Sequence, residues 1–126
     1  MATIYEDYVS FETAKLLKEK GFPQSTFRCH YLTDGSSYYK IFENRCGFGD
    51  NNIIAPTLAM AMKWLREVHN IFIEVSVSID LNGKYHYSYS ILNKECKCVR
   101  KGYTSFDWDY NQACETAIKY SLENLI

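Results

Sequence analysis

The sequence predicts an α+β fold with the element order α-ββ-α-ββ-α. Three segments repeat apolar residues at helical spacing, and two stretches between them alternate apolar and polar residues around a tight turn. We expect the two hairpins to form one antiparallel sheet of four strands, with room for a fifth, and the helices to pack on one face of it. A chain of 126 residues can bury a sizeable core, so residues 1–126 are expected to form a single domain.

The first two helices have clear boundary signals. Helix one is expected from about Ser10 to Lys20, because Ser10 is a good N-cap and Gly21 can adopt the left-handed conformation that ends a helix. Helix two covers Leu58 to His69, with Thr57 as its cap. Apolar residues lie on two sides of helix two, so we expect it to be largely buried.

The third helix begins near Asp107 or Asp109 and runs to the end of the chain, because carboxylates suit a helix start. It is expected to direct these residues inward: Tyr110, Ala113, Ala117, Ile118, Leu122 and Leu125. Residues 43–55 show no periodicity. They are expected to be a long connection that is either mobile or a binding loop.

The second hairpin has the clearest alternation, and its turn is Asp80-Leu81-Asn82-Gly83. A two-residue turn would place the tyrosines on the face opposite the isoleucines and valines. A three-residue loop with Gly83 in the left-handed conformation brings both apolar rows to one face. This register pairs Ile79 with Tyr85, Val77 with Tyr87, and Val75 with Tyr89.

The same treatment of the first hairpin pairs Tyr31 with Ser37, Cys29 with Tyr39, and Phe27 with Ile41. Each hairpin follows a helix, and the two helix-hairpin units share several identical residues at a constant offset. The unit is therefore either an internal duplication or a convergent pattern. Residues 96–100 are the candidate fifth strand, at an edge of the sheet.

Charge and cysteine usage restrict the partners and cofactors. The net charge of -1 gives no overall positive field for nucleic-acid binding. Without a signal peptide or an apolar run of about 20 residues, the expected location is cytoplasmic and not in a membrane. Five scattered cysteines favour reduced thiols, and Cys96-Lys97-Cys98 lacks the spacing of a zinc knuckle, so no metal or cofactor is expected.

Candidate catalytic groups all have simpler explanations. Cys29 and His30 are neighbours on a strand and point to opposite faces, so they cannot form a nucleophile-base pair. Asp107 and Asp109 are explained by helix capping. The sequence therefore predicts a protein that is not an enzyme.

Two surfaces are candidates for binding. The open face of the sheet would combine cations with an aromatic ring, which suits an anion or a stacked base, although a solvated face often has this composition. Its residues are Arg28, His30, Tyr38, Lys40, Lys84 and His86. A secondary basic patch follows the second hairpin, where lysines also protect an edge strand from aggregation. Its residues are Lys94, Lys97, Arg100 and Lys101.

Three helical segments carry a resemblance to known proteins: YVSFETAKLLKEKGF at 8–22, APTLAMAMKWLREVHN at 55–70 and AIKYSLENLI at 117–126. Together they resemble a family of small uncharacterised proteins carried by phages and integrated prophages of gut anaerobes. The resemblance brings no activity, cofactor or site residue. It implies a cytoplasmic accessory protein encoded by a mobile element.

These observations favour a non-enzymatic interaction protein, whose partner is another protein or a second copy of the chain. One alternative is a nucleic-acid-binding accessory protein that uses the open sheet face or the 94–101 segment. The other is a small enzyme whose site the sequence does not reveal.

Overall fold

The computed structural model describes residues 4, 6–24, 29–33, 38–42, 52–102 and 109–126. Three helices and six strands follow one another along these ranges. They are α1 (Phe11–Glu19), β1 (Cys29–Thr33), β2 (Tyr38–Phe42), β3 (Asn52–Ile54), α2 (Leu58–His69), β4 (Phe72–Ile79), β5 (Tyr85–Leu92), β6 (Cys98–Gly102) and α3 (Tyr110–Asn124). The fold is therefore α+β.

The strands form two three-stranded antiparallel sheets, in the orders β2-β1-β3 and β4-β5-β6. The expectation of one four-stranded sheet is thus corrected, because the described strands of the two hairpins do not pair with each other. The third strand of the first sheet is β3, which pairs with the edge of β1 opposite β2. The sequence interpretation placed these residues within an irregular connection, since a three-residue strand is too short to show alternation.

The first hairpin has a different register from the expected one. Cys29 lies opposite Phe42 instead of Tyr39, and Tyr31 lies opposite Lys40 instead of Ser37. The structure also gives no support to a duplicated unit. In the first sheet, the additional strand β3 pairs with β1, the first strand of the hairpin. In the second sheet, the additional strand β6 pairs with β5, the second strand of the hairpin.

All three helices begin at the expected cap residues. Ser10 Oγ accepts a hydrogen bond from the Thr13 amide at 3.3 Å, and Thr57 Oγ1 accepts one from the Met60 amide at 3.1 Å. At α3, Asp109 and Gln112 form a reciprocal capping box with both hydrogen bonds at 2.8 Å. These bonds satisfy amide groups that a helix start leaves without partners.

Helix α2 is less buried than its composition predicts. Only Leu58, Ala61 and Leu65 are buried, whereas Met60 and Val68 are exposed. Tyr110 in α3 and Leu125, the C-cap residue that follows α3, are also exposed, although the helical pattern predicted both to face inward. Each helix buries one narrow stripe, so apolar residues beside that stripe remain at the surface.

Buried residues from all three helices and both sheets form one hydrophobic core. Helix α3 lies between the other two and contacts β4 and β5, while α1 contacts β3. The first and last helices are joined by side chains: Glu115 Oε1 accepts a hydrogen bond from the Ser10 amide at 2.9 Å, and Lys119 Nζ lies 3.0 Å from Glu12 Oε2. No described helix is long and apolar enough to span a bilayer.

Candidate interaction surface

The hairpin formed by β4 and β5 has the predicted register. Ile79 lies opposite Tyr85, Val77 opposite Tyr87, and Val75 opposite Tyr89. Gly83 has a φ of 81° and its amide donates to the Asp80 carbonyl at 3.0 Å, as a type I turn followed by a left-handed residue requires. The three-residue loop inferred from the amphipathic pattern is confirmed.

The Asp80 side chain holds this turn. Its Oδ1 accepts hydrogen bonds from the backbone amides of Asn82 at 2.8 Å and Lys84 at 2.9 Å. Its Oδ2 lies 2.7 Å from His86 Nε2. Hydrogen bonding to His86 and then to the Lys84 amide lowers the pKa of the Asp80 carboxyl below its usual value, 3.8. The turn and the first residues of β5 are thus fixed by one carboxylate.

The six residues predicted for the open sheet face do not share one sheet. Lys84 and His86 belong to the turn and to β5, whereas His30, Tyr38 and Lys40 belong to β1 and β2. The remaining one, Arg28, lies outside the described residues. Binding by these residues stays a prediction. The single sheet that was expected to present them on one face is not found among the described strands.

Within the first hairpin, the new register also separates positions that the expected register kept together. Lys40 lies opposite Tyr31, while His30 lies at the adjacent position opposite Ile41. Adjacent register positions belong to opposite faces of a sheet. In the second hairpin, His86 is already engaged by Asp80.

The secondary basic patch is likewise divided between two faces. Arg100 lies opposite Ile91 and stacks on the ring of Tyr120 in α3, 4.8 Å from its centroid, so it lies on the side of the helices. A hydrogen bond to the Tyr89 side chain raises the pKa of this guanidinium. Lys101 lies opposite Ser90, on the other face. Lys94 and Lys97 belong to the exposed turn between β5 and β6.

Two features resemble parts of catalytic sites. Ser78 lies opposite His86, whose Nε2 contacts Asp80, but among these three described residues no hydrogen bond joins Ser78 to the imidazole. Cys114 is a buried thiol whose pKa is raised by burial, which disfavours the reactive thiolate. The described ranges contain no group of three or more histidine, cysteine or acidic residues close enough together to hold a metal ion.

Sequence reasoning missed an apolar surface at the turn end of the second hairpin. Val77, Ile79 and Tyr85 are 58%, 60% and 62% exposed, and Leu81 in the turn is fully exposed. We call these four residues the distal patch. Alternation correctly placed Val77, Ile79 and Tyr85 on the face that also carries the buried Tyr89. It could not show that the strands extend beyond the helices, because strand length relative to helix position is a tertiary property.

The helices cover the β4–β5 hairpin only as far as the N-terminal end of α3. The ring of Tyr110, the first residue of α3, contacts Tyr87 edge to face at a centroid distance of 6.0 Å. Tyr110 is itself half exposed. Residues nearer the turn than Tyr87 have no helix contact of this kind among the described residues.

Two of the cavities on the described surface lie away from the distal patch. One, of about 380 Å³, is found between the ends of α2, β5 and α3 and includes His69, Asn93 and Leu125 in its lining. His69 Nε2 is buried and has no hydrogen-bond partner among the described residues, and its ring packs edge to face on Trp64 at 4.6 Å. The other, of about 200 Å³, is an apolar cleft beside Phe22 and Trp64.

Comparisons with known proteins do not assign this chain to a family. No protein-family model matches the sequence, and neither a curated protein nor a solved structure shows significant similarity to it.

Proposed function

We propose that this chain is a non-enzymatic interaction protein that self-associates through the distal patch of the β4–β5 hairpin. The observation that carries the proposal is the exposure of four large apolar side chains at one end of one hairpin. A cluster of exposed apolar side chains in one place is typical of an interaction site. A phage or prophage setting, as the three helical segments imply, is part of the same proposal.

The hairpin is suited to present such a patch. Asp80 fixes the turn through two backbone amides and His86, so the strands enter the turn in one conformation. The backbone that carries the distal patch therefore does not have to be ordered on binding. A preorganised backbone loses less conformational entropy when a partner covers it.

The test is size-exclusion chromatography with light scattering over a range of concentrations. We expect a mass that rises above the 14.7 kDa monomer with concentration. The double variant Val77→Ser, Ile79→Ser should remain monomeric and keep the circular dichroism spectrum of the parent, because both side chains are more than half exposed. Val99→Ser on β6 is the matched control, since it removes an exposed valine from a strand away from the patch.

Two results contradict the proposal. One is a parent protein that stays monomeric at every concentration. The other is a loss of association in Val99→Ser equal to that in the double variant, which indicates general stickiness of the surface.

The nucleic-acid alternative requires a continuous cationic surface, and the described cations are less favourable to it than the sequence suggested. Arg100 stacks on Tyr120, His86 contacts Asp80, and Lys101 faces away from Arg100. Adding single-stranded DNA or RNA to the same samples provides the comparison. A complex whose affinity falls steeply with salt is the result that favours this alternative, because phosphate contacts release counterions.

A further inference from the structure

We propose that two copies of the chain pair β4 with β4 in antiparallel orientation, with the two-fold axis at Ser78. The β4-β5-β6 sheets of the two copies then form one continuous sheet. This inference rests on the proposed self-association and specifies its geometry. It follows from the edge position of β4, the direction of its backbone groups, and the charges along it.

The outer edge of β4 carries no other strand that the structure describes. Among the described strands, β4 is hydrogen-bonded only to β5, so it forms one edge of its sheet. The Asp80 amide donates to the Lys84 carbonyl at 2.9 Å, which shows that this residue directs its backbone groups toward β5. Backbone groups alternate in direction along an antiparallel strand, so those of Val75, Val77 and Ile79 point to the outer edge.

Exposure limits the pairing to the end of β4 that carries the patch. Residues 76–79 are all exposed, whereas Ile73 and Val75 are half-buried against the core. Helix α2, which contacts β4 and is joined to its start, lies toward that covered end. A two-fold axis at Ser76 would pair the exposed half of one copy with the covered half of the other, so it is disfavoured.

Charge then excludes an axis at Val77. That axis places Glu74 of each copy opposite Asp80 of the other, and like charges directly opposite each other destabilise a sheet. The contact would bring two pairs of carboxylates together. Moving the axis by one residue removes this repulsion.

The turn excludes an axis at Ile79, because Leu81 would then have to pair in an extended conformation although it lies in the turn. With the axis at Ser78, the residues that pair across the interface, Val77 to Ile79, all belong to β4. This axis pairs Val77 of each copy with Ile79 of the other, and both side chains lie on the helix-facing side of the sheet. The exposed apolar residues of β4 then cover each other.

The pairing is short, so the dimer should be weak and its population should depend on concentration. Within the paired strands, only the two pairs of Val77 with Ile79 have the backbone N–H and C=O groups of both residues directed across the interface. Interfaces of this size fall at the low end of those seen for specific complexes. The apolar side chains and the backbone hydrogen bonds act together at one edge.

Disulfide trapping tests the position of the axis. In a background where the exposed Cys96 and Cys98 are serine, we compare Ser78→Cys with Ser76→Cys, since both serines are exposed. At the axis, the two Ser78 residues form a non-hydrogen-bonded pair with Cα atoms about 4.5 Å apart, which suits a disulfide. The two Ser76 residues are separated by about 13 Å along the strands, which is too far.

Mild oxidation should give at least about tenfold more 78–78 than 76–76 disulfide, measured as cross-linked peptides by mass spectrometry. More 76–76 than 78–78 disulfide overturns the proposed axis. Light scattering on the same samples separates the two proposals. A dimer without the 78–78 disulfide refutes β4 pairing and leaves self-association standing, whereas a monomer at every concentration refutes both.

Discussion

Replacing Gly102 by alanine should destabilise the protein strongly, because the ring of Tyr89 occupies the space of the added methyl group. Gly102 lies opposite Tyr89 across the β5–β6 ladder. A Cβ at Gly102 would overlap Cε1, Cζ and Cδ1 of that ring. Tyr89 is only 3% exposed, so the ring cannot move aside into solvent without leaving the core.

The cost follows from the two ways in which the overlap can be relieved. If the ring leaves the core, the protein loses about 1.5 to 3 kcal/mol of apolar burial. If the strands move apart, overpacking of this kind costs about 1 to 3 kcal/mol. We therefore expect Gly102→Ala to lower the free energy of unfolding by about 2 to 3 kcal/mol, measured by urea denaturation at 25 °C.

Gly83→Ala is the matched control, because a Cβ at Gly83 meets nothing within 4 Å but would have to adopt a φ of 81°. Its cost should be about 1 to 2 kcal/mol, from backbone strain alone. The cost of Gly102→Ala should also shrink by at least about 1 kcal/mol when Tyr89 is alanine, since the two residues are in contact. A cost below about 1 kcal/mol for Gly102→Ala, or strict additivity with Tyr89→Ala, would refute this account of Gly102.

Three further results are expected from urea denaturation. Gly83→Val should lower the urea midpoint more than Ser78→Val does. Gly83→Val forces a β-branched residue to a positive φ, whereas Ser78→Val only enlarges an exposed side chain on a strand. Equal midpoints would contradict the turn geometry. Trp64→Ala should cost about 2 to 4 kcal/mol, since Trp64 is half-buried and packs edge to face on Phe22, and a neutral result would place its ring outside the core. Asp80→Asn should lower the urea midpoint at neutral pH. The difference in midpoint from the parent should disappear as the pH falls below 3.8, because the stabilisation that accompanies the lowered pKa of Asp80 is lost when its carboxylate is protonated. A difference that persists at low pH would show that the charge is not responsible.

The second hairpin was predictable because its alternation is unambiguous. A three-residue loop places the Val75 and Tyr89 rows on the same face whereas a two-residue turn does not, and the structure has the three-residue loop. Helix starts were predictable for a similar reason, since Ser10, Thr57 and Asp109 are side chains that satisfy free amides locally. Both features depend on residues close together in the sequence.

The first hairpin was predicted in the wrong register because its pattern is ambiguous. Tyr38 and Tyr39 are adjacent, so an aromatic residue is available to either face and alternation does not select one. The division into two sheets and the exposure of the distal patch depend on how distant elements pack. Neither is encoded in a local period, and for this reason the candidate surface had to come from the structure.

The contact between α1 and α3 has a consequence for the synthesis of the protein. Ser10 and Glu12 are bonded to Glu115 and Lys119, so α1 gains this neighbour only after α3 has been translated. Until then, α1 lacks this part of its packing on the ribosome. We therefore expect α1, although it is made long before α3, to become protected only once α3 has emerged.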